Sequence, residues 1–177
     1  MKKLITLLFL TIGLVSFGQT TINPDTVCVN AIGEQYFVTN SPGSTYSWTT
    51  TGTLASGQNT NAITIDWGGT SGLYPNAVSI TETTSSGCTG NPVTLDVYIL
   101  DLSMLPGGSF CITDPPYTLI VNFNGGTFSG NGMVGGDFNP STAGVGTHTI
   151  TYTLSGCSVI TNITVNNVPT TGPIQHY

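Results

Sequence analysis

The sequence predicts an all-β protein made of two tandem antiparallel β-sandwiches. Three observations carry that reading. The first is strict alternation in Thr147–Leu154, where threonine takes every odd position and His148, Ile150, Tyr152 and Leu154 take the even ones. A period of two puts the two sets on opposite faces of a strand. The second is a repeated order of cysteine, strand, Gly-rich middle, strand, Gly-Cys, strand: once from Cys28 to Ile99 and once from Cys111 to Val165. The third is the lack of any apolar run with helical spacing and paired start and stop signals after the first 18 residues. A repeat of this length sets the architecture before any local assignment does.

The chain has 177 residues, and the boundaries follow from composition. Residues 1–18 read as a secretory signal: Met1-Lys2-Lys3, then an apolar run from Leu4 to Phe17 too short to span a bilayer, with Ser16 and Gly18 placed for a cut before Gln19. Residues 19–100 form the first module, 101–167 the second and 168–177 an extended tail.

In the first module, Tyr36–Thr39, Ser44–Thr50 and Ala62–Trp67 read as strands. Thr51–Asn61 reads as a polar connection and Gly68–Pro75 as a loop. Val78–Thr81 and Val93–Ile99 form a hairpin around Ser85-Ser86-Gly87-Cys88. In the second, Tyr117–Val121 reads as a strand, and Pro115-Pro116 is a place where a cis bond is expected. Phe128, Met133, Val134 and Phe138 are apolar pegs in a Gly- and Asn-rich middle. Ser155-Gly156 turns the final hairpin, with Val159, Ile163 and Val165 on one face of its return strand.

Charge excludes several function classes. The only basic side chains are Lys2 and Lys3, so removing them takes the net charge from -6 to -8. Nucleic acid is excluded as a partner, because phosphate neutralisation needs cations. An anionic membrane surface is disfavoured for the same reason. Beyond the signal no stretch is long and apolar enough to cross a membrane.

Four cysteines in an exported chain read as two disulfides, for which three pairings exist. The repeat selects Cys28–Cys88 and Cys111–Cys157, one within each module. Each would close a loop worth about 4 kcal/mol in the chain-entropy model. No CxxC or paired-His spacing supports a metal site instead.

The search for catalytic chemistry yields no catalytic residue, and no enzyme is expected. Gly130-Asn-Gly132-Met-Val-Gly135 spells GxGxxG without a following helix. His148 reads as a half-buried structural residue and His176 as a tail residue. No nucleophile elbow occurs, the acids are scattered, and no Lys or Arg is present after Lys3 to stabilise a developing anion. No cofactor is expected. Calcium at Asp25, Asp66, Asp101 or Asp114 and a sugar platform of Tyr46, Trp48, Trp67 and Tyr74 make up the alternative reading, a carbohydrate- or calcium-binding surface module. By exclusion, the tail residues Pro173, Ile174, His176 and Tyr177 are the candidate partner-binding segment, an extended strand able to add to a partner's sheet edge.

A family resemblance accompanies these readings. Tyr46-x-Trp48, Ile65-Asp66-Trp67 and Gly87-Cys88 resemble the PKD-like modules of exported Bacteroidota proteins. Cys111-Ile-Thr-Asp-Pro-Pro-Tyr117, Gly126-Thr-Phe-Ser-Gly130, Phe138-Asn-Pro140 and Ala143-Gly-Val-Gly-Thr-His148 resemble the Ig-like modules found beside them. The resemblance covers Asp25 to Asn167. It implies a non-catalytic accessory of a cell-surface adhesin or of a gliding-motility or secretion assembly. Such a protein would have a larger adhesin or another protein partner, and would sit at the outer membrane, on the extracellular face or in the periplasm. Many relatives end in a sorting domain for type IX secretion, for which this chain has no residues left; its short tail resembles those of small modules accompanying gliding adhesins.

Overall fold

A computed structural model describes residues 24–176. The signal segment and Tyr177 lie outside the described residues. The described residues form four sheets, two within residues 25–100 and two within residues 109–166.

In the first pair, β1 (Asp25–Cys28), β3 (Thr45–Thr50), β6 (Gly72–Thr83) and β7 (Val93–Leu100) form a sheet in the order β1-β7-β6-β3. Strands β2 (Glu34–Phe37), β4 (Thr53–Ser56) and β5 (Ala62–Asp66) form a second, in the order β2-β5-β4. Alternation explains the shared core. Tyr46 and Trp48 in β3, Ile63 and Ile65 in β5, Val78 and Ile80 in β6, and Val97 and Ile99 in β7 all turn inward, joined by Val27, Trp67 and Ala77.

The second pair repeats the plan. Strands β8 (Ser109–Cys111), β10 (Thr127–Ser129), β13 (Gly146–Leu154) and β14 (Cys157–Asn166) are ordered β10-β13-β14-β8. Strands β9 (Tyr117–Thr118), β11 (Met133–Val134) and β12 (Asp137–Phe138) are ordered β11-β12-β9. Its core joins Leu119, Phe138, Ala143, Ile150, Ile163 and Val165. No residue of this cluster belongs to the first, so Val78 and Ile150 sit in separate cores.

Several elements differ from the sequence reading. The sheets are mixed rather than purely antiparallel: β1 runs parallel to β7, and β8 runs parallel to β14. Each module thus begins with an edge strand laid beside its own last strand. The connection Thr51–Asn61 contains β4, an edge strand with a bulge between Leu54 and Ser56; its one large apolar residue, Leu54, gives no alternation to read. The expected loop at Gly68–Pro75 is partly the start of β6. Pro75 lacks an N–H, and the register of β6 against β7 shifts between Tyr74 and Val78, so no ladder bond is missed. The Asn76 N–H there donates to the Asp96 carboxylate at 2.7 Å.

The run Tyr117–Val121 shortens to β9. A single helical turn, α1 (Pro140–Ala143), appears where none was expected. Asn139 caps it through its side-chain oxygen, and Pro140 opens it. No cis peptide bond occurs among the described residues, Pro115 and Pro116 included.

The expected disulfides do not form. The bridge joins Cys28 to Cys157, with Cα atoms 5.4 Å apart, while Cys88 and Cys111 are free thiols. The parallel edge strands explain why. Cys28 lies beside Leu100 at the end of β7, whereas Cys88 precedes the start of β7. The eight residues of that strand alone span about 23 Å, against the 7 Å limit for bridged Cα atoms. Cys111 sits beside Asn166 and Cys157 starts the same strand, about 30 Å away by the same rise.

Candidate interaction surfaces

The residues that could carry function fall at the two ends of each sandwich and in the tail. The end where the modules meet is built by the two strand plans. Strand β7 delivers Leu100 and, beside it, Cys28 to the exit of the first module. In the second module the β13–β14 hairpin presents Cys157 next to its turn. That turn has two residues, Ser155 and Gly156, both at positive φ (49° and 82°), the backbone of a type I′ turn. Cys157 is buried at 4% exposure and Leu100 at 4%. The bridge therefore staples the exit of one module to the hairpin of the next.

The far ends carry the free thiols. Cys88 is exposed at the tip of the β6–β7 connection; its backbone N–H donates to Thr84 Oγ1 at 3.1 Å, and the Ser86 hydroxyl donates to its Sγ at 3.7 Å. Cys111 is half-buried at the end of β8, where its N–H donates to Asp114 Oδ2 at 2.7 Å.

The expected tail segment is placed in the open. Residues 167–176 lie outside every strand and are all exposed, with Ile174 fully so. Pro173, Ile174 and His176 share that stretch.

The alternative aromatic platform does not assemble. Tyr46, Trp48 and Trp67 are buried in the first core, and Tyr74 is half-buried with its hydroxyl donating to the Thr70 carbonyl at 3.0 Å. The Trp48 indole donates to the Thr60 carbonyl at 2.8 Å. The buried Trp67 N–H has no hydrogen-bond partner of good geometry, although it lies near enough to the Tyr36 phenol to ease that group's ionisation slightly.

The four candidate calcium acids are dispersed. Asp25 accepts from the Tyr36 hydroxyl at 2.9 Å, Asp66 from the Gly33 N–H at 2.8 Å and Asp114 from Cys111; Asp101 lies just past β7. Among the described residues no three His, Cys, Asp or Glu side chains converge as metal ligands. Asp25 does influence its neighbours. Burial first, then the Asp25 carboxylate, pushes the Tyr36 phenol far above its ordinary range. Partial withdrawal from water, then Asp25, raises Glu34, although Glu34 as a residue is exposed.

His148 is half-buried against Phe138, ring centroids 6.1 Å apart. Its Nε2 lies 2.8 Å from the Gly144 carbonyl and its Nδ1 3.4 Å from Asn131 Nδ2. A carbonyl can only accept and an amide nitrogen can only donate, so this pairing suits the tautomer with the proton on Nε2. The contacts pin the α1 turn to β13.

Two of the GxGxxG glycines, Gly130 and Gly132, serve packing. A Cβ on Gly130 would meet the Thr149 carbonyl at 2.6 Å, and one on Gly132 would meet Phe138 Cε2 at 2.8 Å. Strand β11 lies within the motif and strand β12 follows it, so no helix N-terminus faces a phosphate there.

Sequence reasoning named all four cysteines but missed the parallel edge pairing that decides which of them meet. The pairing signal was absent from local pattern, because β1 and β7 are separated by the whole module.

No family model and no curated protein matches the chain. Among solved structures it is similar to human protocadherin-24 EC1-2, at 12% identity and a TM-score of 0.33, with 84% of this chain and 96% of that one covered. It is also similar to the N-terminal four Ig domains of Dscam1 isoform 1.9, at 13% identity and a TM-score of 0.29, covering 84% of this chain and 45% of that one. Drosophila N-cadherin EC1-3 is a third, at 12% identity and a TM-score of 0.28, with 86% of this chain and 67% of that one covered.

Proposed function

We propose that this chain is an exported, non-catalytic interaction or structural protein that works at a cell surface. Within that reading it is an accessory of a bacterial adhesin or of a gliding-motility or secretion assembly. The observation that carries the reading is the inter-module bridge, Cys28–Cys157. A disulfide that spans two sandwiches ties them together, and such bonds persist in oxidising compartments outside the cytoplasm. Sheet edges and the exposed tail, residues 167–176, remain to engage a partner, and an extended tail can add a strand to an exposed edge. The adhesin and gliding part of the proposal rests on the PKD-like and Ig-like resemblance.

The test is co-purification from native envelope fractions with and without residues 168–177. The proposal expects a cell-surface protein retained by the full chain and lost on tail deletion. A complex that survives deletion removes the tail from the account, and a chain found only in the cytoplasm overturns the proposal.

A further inference from the structure

We propose that the two free thiols join copies of this chain head to tail, Cys88 of one copy bonding Cys111 of the next. Cys28 and Cys111 end the parallel edge strand of their respective modules, beside Leu100 and Asn166. Two backbone hydrogen bonds recur at both cysteines. The residue after each cysteine donates to the neighbouring strand's last carbonyl: Val29 to Leu100 at 2.9 Å, and Ile112 to Asn166 at 2.9 Å. Each cysteine carbonyl then accepts from the N–H three residues on: Ala31 at 3.0 Å and Asp114 at 3.0 Å.

The other two cysteines match as well. Cys88 and Cys157 each follow a Ser-Gly pair in the connection joining the last two long strands, and Gly87 and Gly156 share positive φ values of 85° and 82°, although Cys88 is exposed in a longer loop and Cys157 is buried at the start of β14. So the chain carries two corresponding fittings twice, one at each end of each sandwich. Where the modules meet, an end-strand cysteine and a hairpin cysteine are bonded, Cys28 to Cys157. The unmated pair, Cys111 and Cys88, are the corresponding two fittings, each at the end of its module away from the bridge. Placing the hairpin end of one copy against the exit end of another repeats the internal junction and brings these thiols together. The tail then takes the place that residues 101–108 hold between the modules of one chain.

A contact between two different patches extends as an open series unless its rotation closes a ring. The chemistry is the oxidation of two thiols. Cys88 and Cys111 each lose a proton, together lose two electrons, and form one S–S bond. A disulfide oxidant accepts the electrons and becomes two thiols; in vitro, oxidised glutathione serves and yields two reduced glutathiones. The inference needs an oxidising compartment, as the export reading does, but no partner.

The experiment incubates the purified full chain in a mixture of oxidised and reduced glutathione. Products are resolved on non-reducing gels and the linked peptides are identified by mass spectrometry. The proposal expects a ladder of covalent multimers that collapses to monomer on reduction, with Cys88–Cys111 as the intermolecular link and Cys28–Cys157 retained. Cys88→Ser and Cys111→Ser should each abolish the ladder, yet mixed together they should give a covalent dimer and nothing larger. A chain that stays monomeric with both thiols open to alkylation overturns the proposal. So do intermolecular Cys88–Cys88 pairs as the main link, or links through Cys28 or Cys157. The wild-type peptide map decides even where a serine variant folds poorly. A cytoplasmic chain that still polymerises in glutathione would sink the surface function while leaving this inference intact.

Discussion

Cys28 and Cys157 are 129 residues apart in sequence, and their Cα atoms lie 5.4 Å apart. This bond ties the exit of the first sandwich to the hairpin of the second, while each sandwich keeps a core of its own. Closing a loop of this length restricts the unfolded chain by about 5 kcal/mol in the chain-entropy model. Its effect should be felt as coupling between modules rather than as support within one.

Cys28→Ser combined with Cys157→Ser should therefore leave both modules folded at 25 °C. Scanning calorimetry should show lower and more widely separated transitions, with a loss of about 2–5 kcal/mol in total stability. Collapse of near-ultraviolet circular dichroism at 25 °C would mean that the bridge holds up a core.

Ile65 and Ile163 are fully buried, one in each core. Replacing either by alanine leaves a cavity costing about 2–5 kcal/mol. With the bridge reduced, Ile163→Ala should lower one calorimetric transition and leave the other in place, and Ile65→Ala should do the reverse. Equal movement of both transitions in either variant would argue for one merged core.

Much of this was legible in the chain. Thr147–Leu154 alternates so regularly that β13 is recovered within one residue, and Ser155-Gly156 is the turn it looks like. Tyr46 and Trp48 likewise fix β3 and its inward face. Strand β4 was hidden because Leu54 is its only large apolar side chain, and an edge strand with a bulge does not need more. The one-turn helix was written in Asn139-Pro140, a cap followed by a first-turn proline, but four residues carry no periodicity. The cysteine pairing was hidden for a different reason. The repeat reveals that Cys28 and Cys111 are equivalent, but equivalence does not say at which end of a strand either one lies. That depends on β1 and β8 running parallel to the strands that close their modules, a long-range choice with no local signature.

Tyr152 is 1% exposed, and its hydroxyl does two tasks. It donates to the Phe123 carbonyl at 2.7 Å and accepts from the Gly126 N–H at 2.7 Å. Tyr152→Phe keeps the ring and strands both backbone groups, at a cost of about 1–3 kcal/mol. Chemical denaturation should show that loss with an unchanged m-value. A variant as stable as wild type would mean that water replaces the hydroxyl.

Gly132 has φ of 91°, and a Cβ there would meet Ala143 Cβ at 2.6 Å and Phe138 Cε2 at 2.8 Å. Gly132→Ala should destabilise the second module by more than about 1 kcal/mol, from left-handed strain and the clash together. Thermal unfolding reads this directly; a neutral substitution would show that the α1 turn shifts freely.

Glu34 titrates above the ordinary carboxylate value of 4.5, owing to partial burial and then to Asp25. A carboxyl raised in the folded state binds its proton more tightly there than in the unfolded chain. Its favourable contribution is complete below 4.5 and is lost as pH rises through the folded value. Glu34→Gln should thus be more stable than wild type at pH 7 and should match it at pH 3, as measured by denaturant midpoints. A gain that is the same at both pH values would assign the effect to something other than ionisation.

The most direct measurement is a peptide map of the exported chain, digested without reduction and with free thiols first alkylated. The account expects one intramolecular link, Cys28 to Cys157, with Cys88 and Cys111 outside it. A map that joins Cys28 to Cys88 and Cys111 to Cys157 within one chain would contradict the parallel edge strands and the linear junction built on them.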